Sequence, residues 1–173
     1  ASGSIALGRG AQIIASGAAT SLLVVAFDAV SEFIFSGFSA LQALSRDACR
    51  PFDRARSGLT LGEGAAAILL ASPGRARGEG REPVGELLGW SASNDAVHIT
   101  APARDSRGLI QAIGAALACA GIGPGDVGAV SAHGTGTIYN DLMELNAFRA
   151  VFGERHVPVY GVKGALGHTL GAA

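Results

Sequence analysis

Gly128-Ala-Val-Ser-Ala-His133 is a short, mostly apolar stretch that ends on an ionisable side chain, and Val159-Tyr-Gly-Val-Lys163 repeats the pattern. Glycine-rich backbone follows each: Gly134-Thr-Gly-Thr137 after the first, Gly164-Ala-Leu-Gly167 after the second. Runs of this length and composition predict strands at 127–132 and 157–162. Helical periodicity lies before and between them. Residues 106–120 carry Leu109, Ile113, Leu117 and Ala120 at spacings of four, four and three, with Gly121 as a stop. Residues 140–152 put Leu142, Leu145, Phe148 and Phe152 on one face. Strands alternating with helices predict an α/β architecture.

Working outward toward the N-terminus, residues 21–27 (Ser21-Leu-Leu-Val-Val-Ala-Phe27) form an unbroken apolar run. This suits a central strand buried on both faces. Residues 59–71 read as a strand pair interrupted at Gly62-Glu-Gly64, and residues 84–93 as a further strand. Residues 38–44 read as a short helix, 49–58 as a polar, proline-containing loop and 73–83 as a charged surface loop. Residues 1–17 read as a helix of small side chains that stops at Gly17. That helix begins without a cap, and the chain stops within the first turns of another. The sequence therefore reads as a piece of a longer polypeptide.

The chain has 173 residues, 49% hydrophobic and only 16% charged, with a formal net charge of -1. That excludes a disordered chain, which needs low hydrophobicity and high net charge. It also gives no electrostatic footprint for nucleic acid or an anionic membrane. The longest apolar runs fall well short of the roughly 20 residues of a membrane span. No basic-then-apolar leader opens the chain. Cys49 and Cys119 have neither zinc nor redox spacing, and two cysteines are too few for a disulfide scaffold, so a reduced cytoplasmic compartment is expected.

In open α/β sheets ligands bind outside the carboxyl ends of strands. His133 and Lys163 stand at such ends, and His168 follows in Gly167-His-Thr-Leu-Gly171. Near a helix N-terminus His168 would be held neutral, and a neutral imidazole can donate to a developing oxyanion. Each residue alone admits a structural role, and together they outline a candidate site. Glu63, between two glycines, suits a structural tie in a tight loop. Gly134-Thr-Gly-Thr137 lacks the Gly-Lys-Ser/Thr ending of a phosphate loop, so its two hydroxyls suit a polar linker of a substrate. The two histidines have no third clustered ligand that would argue for zinc.

Three blocks in order, Ala132-His-Gly-Thr-Gly-Thr137, Asn140-Asp-Leu-Met-Glu144 and Val162-Lys-Gly-Ala-Leu-Gly-His-Thr-Leu-Gly-Ala-Ala173, resemble the β-ketoacyl-acyl-carrier-protein synthases. Arg50-Pro-Phe-Asp-Arg-Ala-Arg-Ser-Gly-Leu-Thr-Leu-Gly-Glu-Gly-Ala65 and Asn94-Asp-Ala-Val-His-Ile-Thr-Ala-Pro102 agree. The resemblance covers nearly the whole chain and favours the elongating, type II-like branch. It implies the thiolase-like fold, a layered α-β-α-β-α arrangement of which this chain would be the central portion. Residues 1–83 would end the N-terminal half, and residues 84–173 would begin the C-terminal half carrying the His/Lys/His site.

The implied activity is decarboxylative condensation of an acyl thioester with malonyl-acyl carrier protein to a 3-oxoacyl product. No cofactor or catalytic metal is implied. His133 and His168 would hold the extender's thioester carbonyl, Lys163 would order the site, and Glu144 would be its acidic partner. Thr135 and Thr137 would meet the phosphopantetheine arm. The nucleophilic cysteine would stand just before Ala1. Implied partners are the acyl carrier protein and a second subunit, in a homodimer or a heterodimer with a related chain. Ala26-Phe27 replaces the family's usual paired glycines and bears on packing near the pocket. The alternative is a non-catalytic partner subunit like a chain-length factor.

Overall fold

The chain, described here by a computed structural model, is seen over residues 2–98 and 101–173. Ala1 and the Ile99-Thr100 part of the 94–102 block lie outside the described residues. Helix α1 (Ser2–Ala15) is followed by strand β1 (Ser21–Asp28), helix α2 (Glu32–Ala40), strand β2 (Gly64–Ala71) and helix α3 (Pro73–Gly78). Then come α4 (Arg107–Ala120), β3 (Val130–Ser131), α5 (Ile138–Phe152), β4 (Val159–Tyr160) and α6 (Lys163–Leu166). Short 3₁₀ turns occupy Pro124–Asp126 and Leu170–Ala172.

The apolar run at 21–27 is indeed a strand. It pairs antiparallel with β2 from Ser21–Ala71 to Asp28–Gly64. One face carries Val24 and Ala26 and lies under α1, whose Gly10 sits close to Val24 and Leu70 and whose Gly3 sits close to Ala26. A side chain at Gly10 would come within 3.1 Å of both apolar neighbours, so the missing Cβ lets helix and sheet approach. The opposite face is open: Leu23, Val25 and Phe27 are more than half exposed. The expectation of burial on both faces is therefore corrected. Only one face of this sheet is covered among the described residues.

Other expectations shift as well. Residues 84–93 join no ladder, because no described strand lies beside them. Instead Trp90 packs against Gly8 of α1, and Gly89 lies against α4. The loop expected at 73–83 contains α3, started by the Ser72 side chain accepting from the Arg75 amide and by Pro73 in the first turn. The short helix near residue 40 forms earlier than expected, at α2, capped by Ser31. The helices expected at 106–120 and 140–152 form as α4 and α5, with Gly121 left-handed at the end of α4.

The buried face of α5 meets the expected apolar one only at Phe148. Asp141, Glu144, Ala147 and Phe148 point inward, whereas Leu142 and Leu145 are exposed. Two carboxylates on a buried face demand internal donors, and those donors define the site.

Candidate active site

β3 and β4 run parallel, with Val130 opposite Val159 and Ser131 opposite Tyr160. Parallel strands end on the same side, which brings the segments after them together. His133 follows β3, and Lys163 opens α6 just after β4. His168 comes from a third direction. A parallel bridge pairs it with Leu61, its amide donating to Thr60 O at 2.6 Å and its carbonyl accepting from the Gly62 amide at 3.1 Å. The glycine-rich loop at 58–64 thus serves as a rail for His168. Glu63 ties the same loop down by accepting from the Val30 amide at 2.8 Å.

The two imidazoles meet. Their ring centroids are 5.2 Å apart and their planes cross at 81°. His168 is buried, whereas His133 is exposed to solvent. The Leu170 amide donates to Nδ1 of His168 at 3.1 Å. An accepting Nδ1 leaves the proton on Nε2, so His168 is fixed as a neutral donor through Nε2. Crowding by protein and the nearby Lys163 charge push both imidazoles down to about 4, and His168 adds to the effect on His133. Burial also lowers the Lys163 ammonium, opposed by the charge of Glu144.

Glu144 does not pair with Lys163 as expected. No ion pair links them among the described residues. The carboxylate instead accepts from the His133 amide at 2.7 Å, the Gly134 amide at 2.7 Å and Asn140 Nδ2 at 2.9 Å. Its effect on Lys163 acts through space. Burial raises Glu144 above the usual carboxylate value, while these three donors pull the other way. Thr135 and Thr137 share a hydroxyl–hydroxyl bond of 2.9 Å, but Thr135 is only 5% exposed. Of the two hydroxyls, Thr137 is the more accessible.

Asp141, Asn140 and Arg56 are the site residues that motif reading passed over. Asp141 is fully buried and accepts from the amides of Thr135, Gly136 and Phe52, at 3.1, 3.2 and 2.7 Å. Arg56 lies 3.7 Å from Asp141 and donates to the carbonyls of Thr137 and Ile138. It comes from the loop at 49–58, so two distant segments are locked together here. The available signal was an acidic residue in the first turn of a helix just after a glycine-rich loop, where loop amides need acceptors.

Gly136 is left-handed, with φ 71°, and a Cβ there would stand 2.8 Å from both Cys49 Sγ and Gly58 O. Cys49 is buried and donates to Thr135 O, and burial raises its thiol. It is therefore a packing element of the loop rather than a reactive thiolate. At the Ala26-Phe27 departure the Phe27 side chain points outward. The Phe27 carbonyl and the Asp28 carboxylate face Gly171, whose amide donates to Asp28 at 3.1 Å. Among the described residues no group of three or more His, Cys, Asp or Glu could hold a metal ion, and no helix is long and apolar enough to cross a membrane.

This mixed α/β chain thus brings two histidines and a buried lysine together beside the ends of two parallel strands. The description "Beta-ketoacyl synthase, N-terminal domain" matches residues 1–76, and "Beta-ketoacyl synthase, C-terminal domain" matches residues 84–173. The chain belongs to the β-ketoacyl synthase family. It is 38% identical to 3-oxoacyl-[acyl-carrier-protein] synthase 2 of Staphylococcus aureus, over 99% of this chain and 45% of that protein. The structure of the ishigamide ketosynthase/chain length factor superposes with a TM-score of 0.95 at 38% identity, covering 100% of this chain and 42% of that one. A type II PKS acyl-carrier protein in complex with its ketosynthase bound to the hexaketide superposes at 0.95 and 34% identity, over 98% and 44%. The chain spans less than half the length of these relatives.

Proposed function

We propose that the polypeptide carrying this chain condenses an acyl thioester with a malonyl unit on acyl carrier protein, losing carbon dioxide and giving a 3-oxoacyl thioester. The observation that carries this is the His133–His168 pair, 5.2 Å apart, with the Nε2 proton of His168 fixed. Two neutral imidazoles fit one thioester oxygen. As the malonyl carboxylate leaves as carbon dioxide, the electron pair of the broken carbon–carbon bond moves into the thioester, and both donors stabilise the enolate oxygen. The enolate carbon then attacks the acyl carbonyl on the cysteine that the resemblance puts before Ala1, and the thiolate leaves. Burial, with the Lys163 charge added to it, keeps the histidines neutral, and Glu144 and Asp141 hold the backbone on which His133 rides.

On this reading Thr137, with Thr135 behind it, contacts the phosphopantetheine arm. Residues 1–83 belong to the N-terminal half of the enzyme and 84–173 to the C-terminal half. The protein acts in the cytoplasm as a homodimer or as a heterodimer with a related subunit. Similarity to a structure that contains a chain length factor favours a second reading, a non-catalytic partner subunit. The presence of His133, Lys163 and His168 together favours the enzyme.

The test is His133→Ala in the full-length polypeptide, with acyl transfer and carbon dioxide release measured separately. Removing one oxyanion donor lowers the rate about 10²- to 10³-fold. Carbon dioxide release should fall by at least that much while acyl transfer persists. Unchanged release would make His133 a structural residue.

A further inference from the structure

Asn140 sits at the third position of α5 with its side chain half-buried between two buried carboxylates of the same helix. Its Nδ2 donates to Glu144 Oε2 at 2.9 Å and lies 3.4 Å from Asp141 Oδ1. Both neighbours are pure acceptors when ionised, so the amide must present its NH₂ edge to them, and the side chain has one sensible orientation. Asp141 has Arg56 beside it, whereas among the described residues Glu144 has no cation in contact. Asn140 is therefore the only side chain among the described residues that donates directly to Glu144. The other two donors to that carboxylate are the amides of His133 and Gly134, the backbone that aims the His133 ring.

We propose that Asn140 is a positioning residue for the two-histidine site: by bridging Asp141 and Glu144 it keeps Glu144 ionised, and the ionised carboxylate holds the His133–Gly134 backbone in place. This rests on the condensing reading of the site. A protonated Glu144 would set its O–H against one of three N–H donors and surrender that bond. The groups facing Glu144 are Asp141 from its own helix, the His133 segment and Lys163 of α6. Asp141 favours the neutral form by repulsion, and Lys163 favours the ionised form. Burial favours the neutral form most strongly, with the Asn140 donor working against it. Losing that donor therefore moves Glu144 protonation to higher pH.

The experiment compares the full-length protein with its Asn140→Ala and Asn140→Ser variants. Carbon dioxide release from malonyl-acyl carrier protein is measured from pH 5 to 9. Loss of one hydrogen bond to a charged group changes proton affinity about tenfold, so the acid limb should move up by about one pH unit in Asn140→Ala. Serine, which keeps one donor, should shift it less. A lower rate with an unmoved acid limb would overturn the proposal. Amide hydrogen exchange at His133 and Gly134, followed against pH, supplies a readout that does not need activity. The pH at which protection is lost should rise in Asn140→Ala, and an unchanged midpoint overturns the proposal. If the parent protein releases no carbon dioxide, the condensing reading fails while the exchange midpoints still decide the role of Asn140. Should the alanine variant not fold, the serine variant decides by the same two measurements.

Discussion

Asp141→Ala tests whether one buried carboxylate holds the glycine-rich loop at 134–137 together. Asp141 is 0% exposed and accepts from three backbone amides: Thr135, Gly136 and Phe52. Alanine leaves all three without their acceptor and leaves Arg56 without the anion 3.7 Å away. A buried donor stripped of its partner costs about 1–3 kcal/mol, and three at the low end give about 3 kcal/mol. Breaking a buried charged pair from one side costs about 3–5 kcal/mol. The two estimates overlap because they count the same groups, so the expected loss is about 3–5 kcal/mol. Asp141→Asn keeps one acceptor oxygen and should lose about half as much. Urea unfolding of the full-length variants measures this, with unchanged m-values confirming that the native and unfolded surfaces are comparable. A loss below about 1 kcal/mol in Asp141→Ala would show that water replaces the carboxylate freely and that the loop is held by something else.

Gly136→Ala should destabilise by about 2 kcal/mol or more, because a left-handed φ of 71° is strained for alanine and its Cβ would meet Cys49 and Gly58; thermal unfolding checks it. His168→Ala should lower carbon dioxide release about 10²- to 10³-fold, as for His133, and stopped-flow or radiometric assays of the full-length protein would read the loss. The pH dependence of stability follows from the depressed histidines. Between about 6.5 and about 4 the unfolded chain binds more protons than the folded one, so the histidine contribution is full above 6.5 and is lost as pH falls toward 4. Glu144, raised by burial, acts in the opposite sense. Replacing His168 by Gln should therefore flatten the fall in stability between those values, which a series of melting curves in buffers of stepped pH would detect.

What could be read from the sequence was whatever local pattern alone determines. The existence of strands before His133 and Lys163, the helices expected at 106–120 and 140–152, and the Gly121 stop follow from apolar periodicity and glycine placement, although the strands are shorter than expected, Val130–Ser131 and Val159–Tyr160. The faces were harder to read. Periodicity put Leu142, Leu145, Phe148 and Phe152 on one face of α5, but of these only Phe148 is buried, and the buried side is shared with Asp141 and Glu144, which serve loop amides that no period reveals. The run at 21–27 looked equally apolar on both sides, and nothing in a strand's own sequence says how many layers will cover it. Residues 84–93 have strand composition, yet a strand exists only where another offers ladder bonds. The contact of His168 with the loop at 58–64 joins positions more than a hundred residues apart, and only the assembled fold shows it.

The charges at this site explain why the histidines can remain neutral. Asp141 is compensated by Arg56 in contact, and Glu144 is offset by Lys163 at longer range. With two acids set against two bases, neither imidazole has to supply a charge to the fold. Lys163 then acts on the imidazoles as an uninvited neighbour, and its repulsion, added to burial, holds both at about 4. A histidine with a carboxylate at its ring would behave differently. It would gain a proton readily and would meet the substrate as a cation, and the energy of that pairing would already be present in the resting state. Here the carboxylates bind the backbone beneath His133 rather than its ring. On the proposed condensing reading, the donors therefore have no competing anion in contact among the described residues before one develops on the substrate, and their stabilisation is reserved for the enolate.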